Sequence, residues 1–178
     1  MSSFKEIVTK AVIGKAKKTN SHSFSITPEQ VPNTVLGCWV INHSFNGIKG
    51  PNGSVIINGS FDVNVWYSYD TDKKTAVTTE NFNYSDTLNI PIKSDANIDS
   101  ASEIIVRCLK QPTVSNVFIE NNNVKLDIEK EMGVEIVGDA KVKISVEDDY
   151  DDYEEIMDDE DIEEIIDNVD DNYLTKEE

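Results

Sequence analysis

The sequence predicts a mainly β fold: an antiparallel sandwich or barrel-like body of many short strands. Residues 61–69, FDVNVWYSY, alternate apolar and polar side chains with period two, which is typical of a strand with one buried face. Further alternating runs follow, and turns rich in Gly, Asn, Pro and Asp separate them at short intervals. Trp66 departs from the pattern, because it lies on the polar side of its strand.

Residues 1–20 are predicted to form an N-terminal amphipathic helix. Ser3 and Glu6 fit a capping box, and apolar residues recur three and four positions apart, on one helical face. These residues are Phe4, Ile7, Val8, Ala11 and Val12. Such a helix would pack on its own domain, dock on a neighbouring subunit or another protein, or lie on a membrane surface.

The β-rich body is predicted over residues 21–146. Its expected strands cover 23–26, 35–43, 55–69, 75–92, two short runs broken at Pro112, and two alternating runs that end at residue 146. Residues 46–54 are predicted as a turn, as are residues 70–74. The long run 55–69 is one strand, or two strands with a bulge at Gly59.

One internal similarity suggests duplication. VIINGSFDVNV (55–65) aligns without a gap to VEIVGDAKVKI (134–144), and both contain a glycine at the fifth position. Either two alternating strands share this pattern by chance, or a β unit is duplicated and gives two related sheets or lobes.

The charge is concentrated at the C-terminus. Residues 147–178 contain 18 acidic residues and one lysine, whereas residues 1–146 have a net charge of −1. A neutral body argues against nucleic-acid binding, which needs a basic surface. The absence of glycine in the acidic tail argues against a calcium loop of the EF-hand type.

The acidic tail also carries an apolar stripe. We assign partner recruitment to Tyr150, Tyr153, Ile156, Ile162, Ile165, Ile166 and Val169. Like charges four residues apart would weaken an isolated helix. The tail is therefore either a disordered, solubilising segment or a recruitment segment that folds on binding.

No catalytic, cofactor or metal motif is recognisable. His22 and His43 lack metal-ligand spacing. Cys38 and Cys108 are predicted to be small buried residues or free thiols, with an intermolecular crosslink as the alternative. An enzyme would need a cluster assembled from distant parts, such as His43 with Cys38 or Asp62. We expect no enzymatic activity and no cofactor. We also expect no signal peptide and no membrane insertion, so that the protein is cytosolic when it is made.

The two tryptophans carry the remaining signal for an interaction. Trp39 is predicted in the core, because its strand is apolar on both faces. For Trp66, burial under a second layer and a subunit contact both remain open, and aromatic side chains concentrate interface energy. We include Trp66 with the N-terminal apolar residues as a candidate for self-assembly.

Three stretches of the sequence together resemble the outer spore coat morphogenetic protein CotE family of endospore-forming Bacilli. They are EIVTKAVIGKAKK, VLGCWVINH and FDVNVWYSY. The resemblance implies a non-enzymatic scaffold that is made in the mother-cell cytoplasm and moves to the spore coat. It would self-oligomerise around the forespore, attach to the SpoIVA basement layer and recruit outer coat or exosporium proteins. It also implies that the N-terminal region serves self-assembly and that the C-terminal tail serves recruitment.

The sequence is also compatible with two other functions. One is a monomeric binding module that holds a small ligand or a carbohydrate on the sheet face near Trp66. The other is an acid-tailed chaperone or inhibitor that shields a basic client protein.

Overall fold

The computed structural model describes residues 3–92 and 98–146, which form a mainly antiparallel β structure. The strands are β1 (Ser3–Ile26), β2 (Thr34–Lys49), β3 (Ser54–Tyr69), β4 (Lys74–Asn89), β5 (Glu103–Glu120) and β6 (Asn123–Val146), and a short 3-10 turn covers Pro51–Gly53. Sheet A has the strand order β1-β6-β5, and sheet B has the order β2-β3-β4. This confirms the mainly antiparallel β class, although the six strands of the described residues are long, with 16 to 24 residues each, and not the many short strands that were predicted.

The central strands of the two sheets supply most of the core in the compact unit Glu6–Val142. The inward side chains of β3 and β6 are almost fully buried, as alternation requires. They are Val55, Ile57, Phe61, Val63, Val65 and Tyr67 on β3, and Val124, Leu126, Ile128, Met132, Val134 and Ile136 on β6. Each large apolar side chain stabilises the fold by roughly 1.5–3 kcal/mol on burial.

Two glycines occupy inward positions on the central strands. A Cβ at Gly59 on β3 would overlap the ring of Tyr84, and a Cβ at Gly138 on β6 would lie 2.8 Å from Ile13. An edge-strand side chain therefore fills the space above each glycine. Gly59 produces no break, because β3 pairs with β4 without a register shift. The two glycines are the equivalent positions of the internal sequence similarity, and both lie in the middle strand of a sheet.

The predicted N-terminal helix is wrong. Residues 4–18 belong to β1, which continues to Ile26 and includes the short run predicted at 23–26. Ile13 is buried, and the neighbouring Gly14 makes an antiparallel bridge to Ile92. β-branched side chains are frequent here and favour strands. Pairing with β6 then supplies backbone partners that no local sequence window contains.

Side-chain contacts between β1 and β6 follow an antiparallel register. Three polar pairs connect the strands: Thr27 with Asn123, Ser23 with Asp127, and Thr19 with Glu131. As the residue number rises by four on β1, it falls by four on β6, which is the antiparallel arrangement.

Several predicted boundaries also differ from the structure. β2 continues through the predicted turn 46–54 to Lys49, and the reversal is confined to Gly50 and the 3-10 turn, where Asn52 and Gly53 have positive φ. β5 is a single strand, because register shifts around residues 108–116 accommodate Pro112. The turn 70–74 is confirmed in position, and Asp70, Thr71 and Asp72 adopt positive φ there.

Within residues 3–92 and 98–146, no helix has the length and apolar character needed to cross a bilayer.

Candidate functional site

The outer face of sheet B carries an exposed aromatic pair. Trp66 is 43% exposed and Trp39 is 42% exposed. Gly37 lies opposite Trp66 in the β2–β3 register. A Cβ built on Gly37 would be 3.4 Å from the Trp39 ring and 3.7 Å from the Trp66 ring, so both indoles lie beside this glycine. The prediction that Trp39 lies in the core is wrong, whereas Trp66 lies on the exposed face as alternation indicates.

Apolar neighbours extend this aromatic pair. Ile41 shares the outward phase of Trp39 on β2, and Val77 lies opposite Trp66 on β4. Both are exposed, Ile41 at 40% and Val77 at 57%. We call Trp39, Ile41, Trp66 and Val77 the tryptophan face. Exposed aromatic and aliphatic side chains gathered on one sheet face are typical of a protein interaction surface.

A row of polar side chains borders the tryptophan face. Asn42 Nδ2 and Asn81 Nδ2 each donate a hydrogen bond of 2.8 Å to the Asp62 carboxylate. Thr79 donates to Asn64 Oδ1 at 2.6 Å. The two amide hydrogen bonds hold the pKa of Asp62 below its ordinary value. An apolar centre beside a polar rim is the usual composition of a protein–protein interface.

The first half of β1 is also exposed. Phe4 is 67% exposed, Val8 68%, Ile7 40% and Val12 39%, whereas Ala11 is half-buried. These are the residues that were predicted to form an apolar helix face. In the strand they lie on both faces instead, since successive side chains point to opposite sides.

A buried polar cluster links the two sheets. Lys130 on β6 is 1% exposed, and its Nζ donates a hydrogen bond of 2.6 Å to Asp86 Oδ2 on β4. The ammonium also lies 3.9 Å from the centroid of the Tyr84 ring, a cation–π contact. Burial alone would raise the pKa of Asp86, but the hydrogen bond and charge of Lys130 hold it below its ordinary value.

His43 on β2 completes this cluster. Its Nε2 and Tyr84 Oη are hydrogen-bonded at 2.8 Å, and its Nδ1 lies 3.1 Å from Gln111 Oε1. Burial lowers the pKa of His43, and the Lys130 charge adds to that effect against the hydrogen bond of Gln111. Burial and the Asp86 carboxylate raise the pKa of Tyr84. We call His43, Tyr84, Asp86 and Lys130 the buried polar cluster.

The cluster differs from the catalytic combinations considered from the sequence. The cysteine beside His43 is Cys108, whose Sγ lies 3.8 Å from Nδ1, and burial raises the pKa of that thiol. Asp62 accepts hydrogen bonds from Asn42 and Asn81 on the outer face of sheet B. Both cysteines are free and half-buried. Within residues 3–92 and 98–146, no three His, Cys, Asp or Glu residues are grouped as metal ligands.

Sequence reasoning missed Lys130 and Asp86. The position of Lys130 in the alternating pattern could have identified it. Every second side chain of β6 is buried, and residue 130 belongs to the same series as Val124, Leu126, Ile128 and Met132. A lysine at an inward position predicts a buried anionic partner, because an unpaired buried charge is costly. The identity of that partner depends on the packing of the two sheets.

The predicted recruitment residues lie in the acidic tail, outside the part of the chain that the structure describes. They are Tyr150, Tyr153, Ile156, Ile162, Ile165, Ile166 and Val169.

Comparison with known protein families gives a match over nearly the whole chain. A family model described as outer spore coat protein E (CotE) matches residues 3–176, nearly the whole chain. Neither a curated protein nor a solved structure matches.

Proposed function

The chain belongs to the outer spore coat protein E (CotE) family and is a spore coat protein, and we propose that it acts there as a non-enzymatic scaffold. In this proposal, copies of the chain associate with one another around the forespore. They attach to the SpoIVA basement layer and recruit outer coat or exosporium proteins. The protein is made in the mother-cell cytoplasm before it joins the coat.

The observation that carries this proposal is the tryptophan face. Trp39 and Trp66 lie side by side in a strand-built surface, and each is more than 40% exposed in the single chain. Exposing large aromatic side chains to water is unfavourable, and a partner that covers them recovers this free energy. A coat protein with such a face is suited to association with neighbours in the coat.

A second exposed region supports assembly beyond a pair. The β1 residues 6–12 belong to sheet A, whereas the tryptophan face belongs to sheet B. A single self-complementary contact closes a dimer, but two different contacts on each copy allow growth into rings, filaments or layers. Many weak contacts within one layer then act together, which raises their combined strength.

Recruitment is assigned to the acidic tail. Its net charge of −17 suits a partner surface with basic residues, and its apolar stripe would be covered on binding. Its proposed partners are outer coat or exosporium proteins, which are the partners that the family resemblance implies.

The environment of His43 supports the non-enzymatic part of the proposal. Both ring nitrogens have side-chain partners, Tyr84 and Gln111. The nearby Cys108 has a pKa raised by burial, so its reactive thiolate form is disfavoured at neutral pH.

Light scattering coupled to size exclusion, over a concentration series of the full chain, tests this function. We expect a mass that grows with concentration, and we expect Trp66→Ser to shift growth to higher concentration. Phe118→Ser is the matched control, because Phe118 is 47% exposed on β5 but lies in the other sheet. A mass near 19.9 kDa at every concentration would contradict self-assembly and favour the monomeric binding module.

Deleting residues 1–18 is not a suitable variant for this test. Ile13 is 1% exposed in the core, and Lys15 makes an ion pair of 3.2 Å with Glu135 on β6. The deletion would disturb folding as well as assembly, so point substitutions on exposed side chains are required.

A further inference from the structure

The outer face of sheet B carries an uncharged polar patch beyond the polar rim of the tryptophan face. Two rows of side chains cross the three strands there, and every position holds an amide or a hydroxyl group. In the register of β2, β3 and β4, one row is Ser44, Ser60 and Asn83, and the other is Asn46, Asn58 and Ser85. We call these six residues the polar patch.

The polar patch is open to solvent and slightly concave. Ser60 is half-buried, and the other five side chains are exposed. A shallow cavity of about 390 Å³ lies over the patch, and its lining includes Ser44, Asn46, Asn58, Ser60 and Asn83. Outward residues are about 6.6 Å apart along a strand and neighbouring strands about 4.8 Å apart, so the patch measures roughly 7 by 10 Å. These dimensions suit a small ligand or a short section of a polymer.

The lack of charge restricts the kind of partner that this surface fits. Between Ile56 and Trp66, the outward side chains of β3 and their partners on β2 and β4 include one charged group, Asp62 in the polar rim. Residues 1–146 nevertheless contain 15 basic and 16 acidic side chains. A charged partner finds no counter-charge on the patch, and an apolar partner would bury its amides without hydrogen bonds, which is unfavourable. The patch is therefore matched to a neutral ligand with many hydrogen-bonding groups.

Saccharides have the required chemistry. Asparagine amides and serine hydroxyls both donate and accept hydrogen bonds. Each ring hydroxyl of a sugar does the same, and an acetamido group adds one donor and one acceptor. Ser44 Oγ and Ser60 Oγ are hydrogen-bonded at 3.1 Å, so one of the two hydroxyls keeps its proton for a ligand.

An apolar strip next to the polar patch adds a second feature. Ile48 and Ile56 lie opposite one another in the β2–β3 register, in the row after Asn46 and Asn58. Ile48 is 46% exposed. Sugar rings carry C–H groups as well as hydroxyls, and an exposed isoleucine beside the amides gives those C–H groups an apolar surface on which to pack.

We propose that the polar patch binds a neutral saccharide, which accepts and donates hydrogen bonds at Asn46, Asn58 and Asn83 and packs on Ile48. The proposal goes beyond the scaffold function, because it assigns a saccharide ligand to a surface outside the tryptophan face. A chain with both surfaces contacts protein neighbours through one and a polysaccharide through the other.

Saturation-transfer difference NMR of the full chain tests this site with two neutral disaccharides, diacetylchitobiose and cellobiose. The method detects weak ligands on a protein of any size, so self-association of the chain does not interfere. We expect saturation transfer to both disaccharides. We expect tighter binding of diacetylchitobiose, because its acetamido groups add donors and acceptors, and the comparison separates acetamido sugars from plain glucose polymers.

Two substitutions locate the binding on the polar patch. Asn58→Ala and Asn83→Ala should each weaken binding of diacetylchitobiose by about fivefold to tenfold in a titration, because each removes a hydrogen bond to the ligand. Asn116→Ala is the matched control, since Asn116 is an exposed asparagine on β5 in the other sheet. It should bind as the wild type does. All three side chains are exposed, and circular dichroism checks that each variant keeps the β fold.

The outcomes separate the saccharide site from the scaffold function. Weaker binding by the two patch variants alone supports the site. Absence of saturation transfer to both disaccharides overturns it, as does unchanged binding by both patch variants or an equal loss in Asn116→Ala. A chain that binds a disaccharide but stays monomeric contradicts only the scaffold function, whereas a chain that assembles but binds neither disaccharide contradicts only the saccharide site.

Discussion

Lys130 on β6 and Asp86 on β4 form an ion pair inside the core, with Nζ 2.6 Å from Oδ2 and side chains that are 1% and 4% exposed. The pair joins the central strand of sheet A to an edge strand of sheet B. His22 Nε2 also lies 3.3 Å from Asp86 Oδ1, at ion-pair distance but without hydrogen-bond alignment. A buried pair of this kind contributes to the specificity of packing, while breaking it leaves a charge in an apolar surrounding.

Removing one member of the pair should be far more damaging than removing both. Asp86→Ala leaves the Lys130 ammonium without its anion, so we expect the free energy of unfolding to fall by about 3–5 kcal/mol. The double variant D86L/K130M should recover most of this loss, because apolar side chains of similar volume avoid the cost of burying charge. Urea denaturation of both variants measures the difference.

The control for the ion pair is Lys110→Met. Lys110 pairs with Glu129 at 3.3 Å, but the two side chains are 51% and 36% exposed. Its removal should change stability by less than about 1 kcal/mol. A double variant D86L/K130M that is as unstable as Asp86→Ala would contradict our account of the buried pair.

Gly59→Ala should displace the ring of Tyr84. The added Cβ would overlap the phenol, which lies over β3 to reach His43. We expect a destabilisation of roughly 1–3 kcal/mol from the crowded core. Gly37→Ala is the matched control, since a Cβ there meets the two indoles only at ordinary contact distance. Equal melting temperatures for the two variants would show that the Gly59 gap has no structural role.

Stability should decrease as the pH falls below about 6.5, because burial lowers the pKa of His43 in the folded protein from that value. The unfolded chain then binds a proton at a higher pH than the folded chain does. The neutral imidazole therefore favours folding above pH 6.5, and this contribution is lost as the pH falls through the lowered pKa. His43→Gln should remove this part of the pH dependence of the urea midpoint.

The carboxylate of Asp86 makes the stability of the fold depend on pH in a separate, lower pH range. Its pKa in the folded protein lies below the ordinary value of 3.8, so its contribution is present above that pH and is lost below it. If the urea midpoint of His43→Gln depended on pH between about pH 5 and 8 as that of the wild type does, our assignment of the pH dependence near 6.5 to His43 would be wrong.

The chain's two tryptophans, Trp39 and Trp66, should report directly on assembly, because both lie on the tryptophan face. We expect the fluorescence of dilute protein to be that of water-exposed indoles, and to shift to shorter wavelength and resist acrylamide quenching as concentration rises. The single-tryptophan variants W39F and W66F separate the two signals. Growth in mass without any change in fluorescence would place the association elsewhere on the protein.

The N-terminal segment illustrates the limit of local sequence patterns. Apolar residues at positions 4, 7, 8, 11 and 12 fit a helix face, but they equally fit a strand that is exposed on both sides. Pairing with β6 favours the strand over the helix, because the polar side chains Asp127, Glu131 and Glu135 of β6 contact polar side chains on β1. Those partners are more than one hundred residues away in the chain, which no window analysis covers.

The sequence alone determined the mainly β class, the buried face of β3 and the outward position of Trp66, because a period of two follows from strand geometry itself. Tertiary structure decided which side chains meet. Gly59 makes room for Tyr84, Tyr84 reaches His43, and Lys130 contacts Asp86 only when two sheets share one core. Alternation specifies the face on which a residue lies, whereas the packing of the sheets selects its partner.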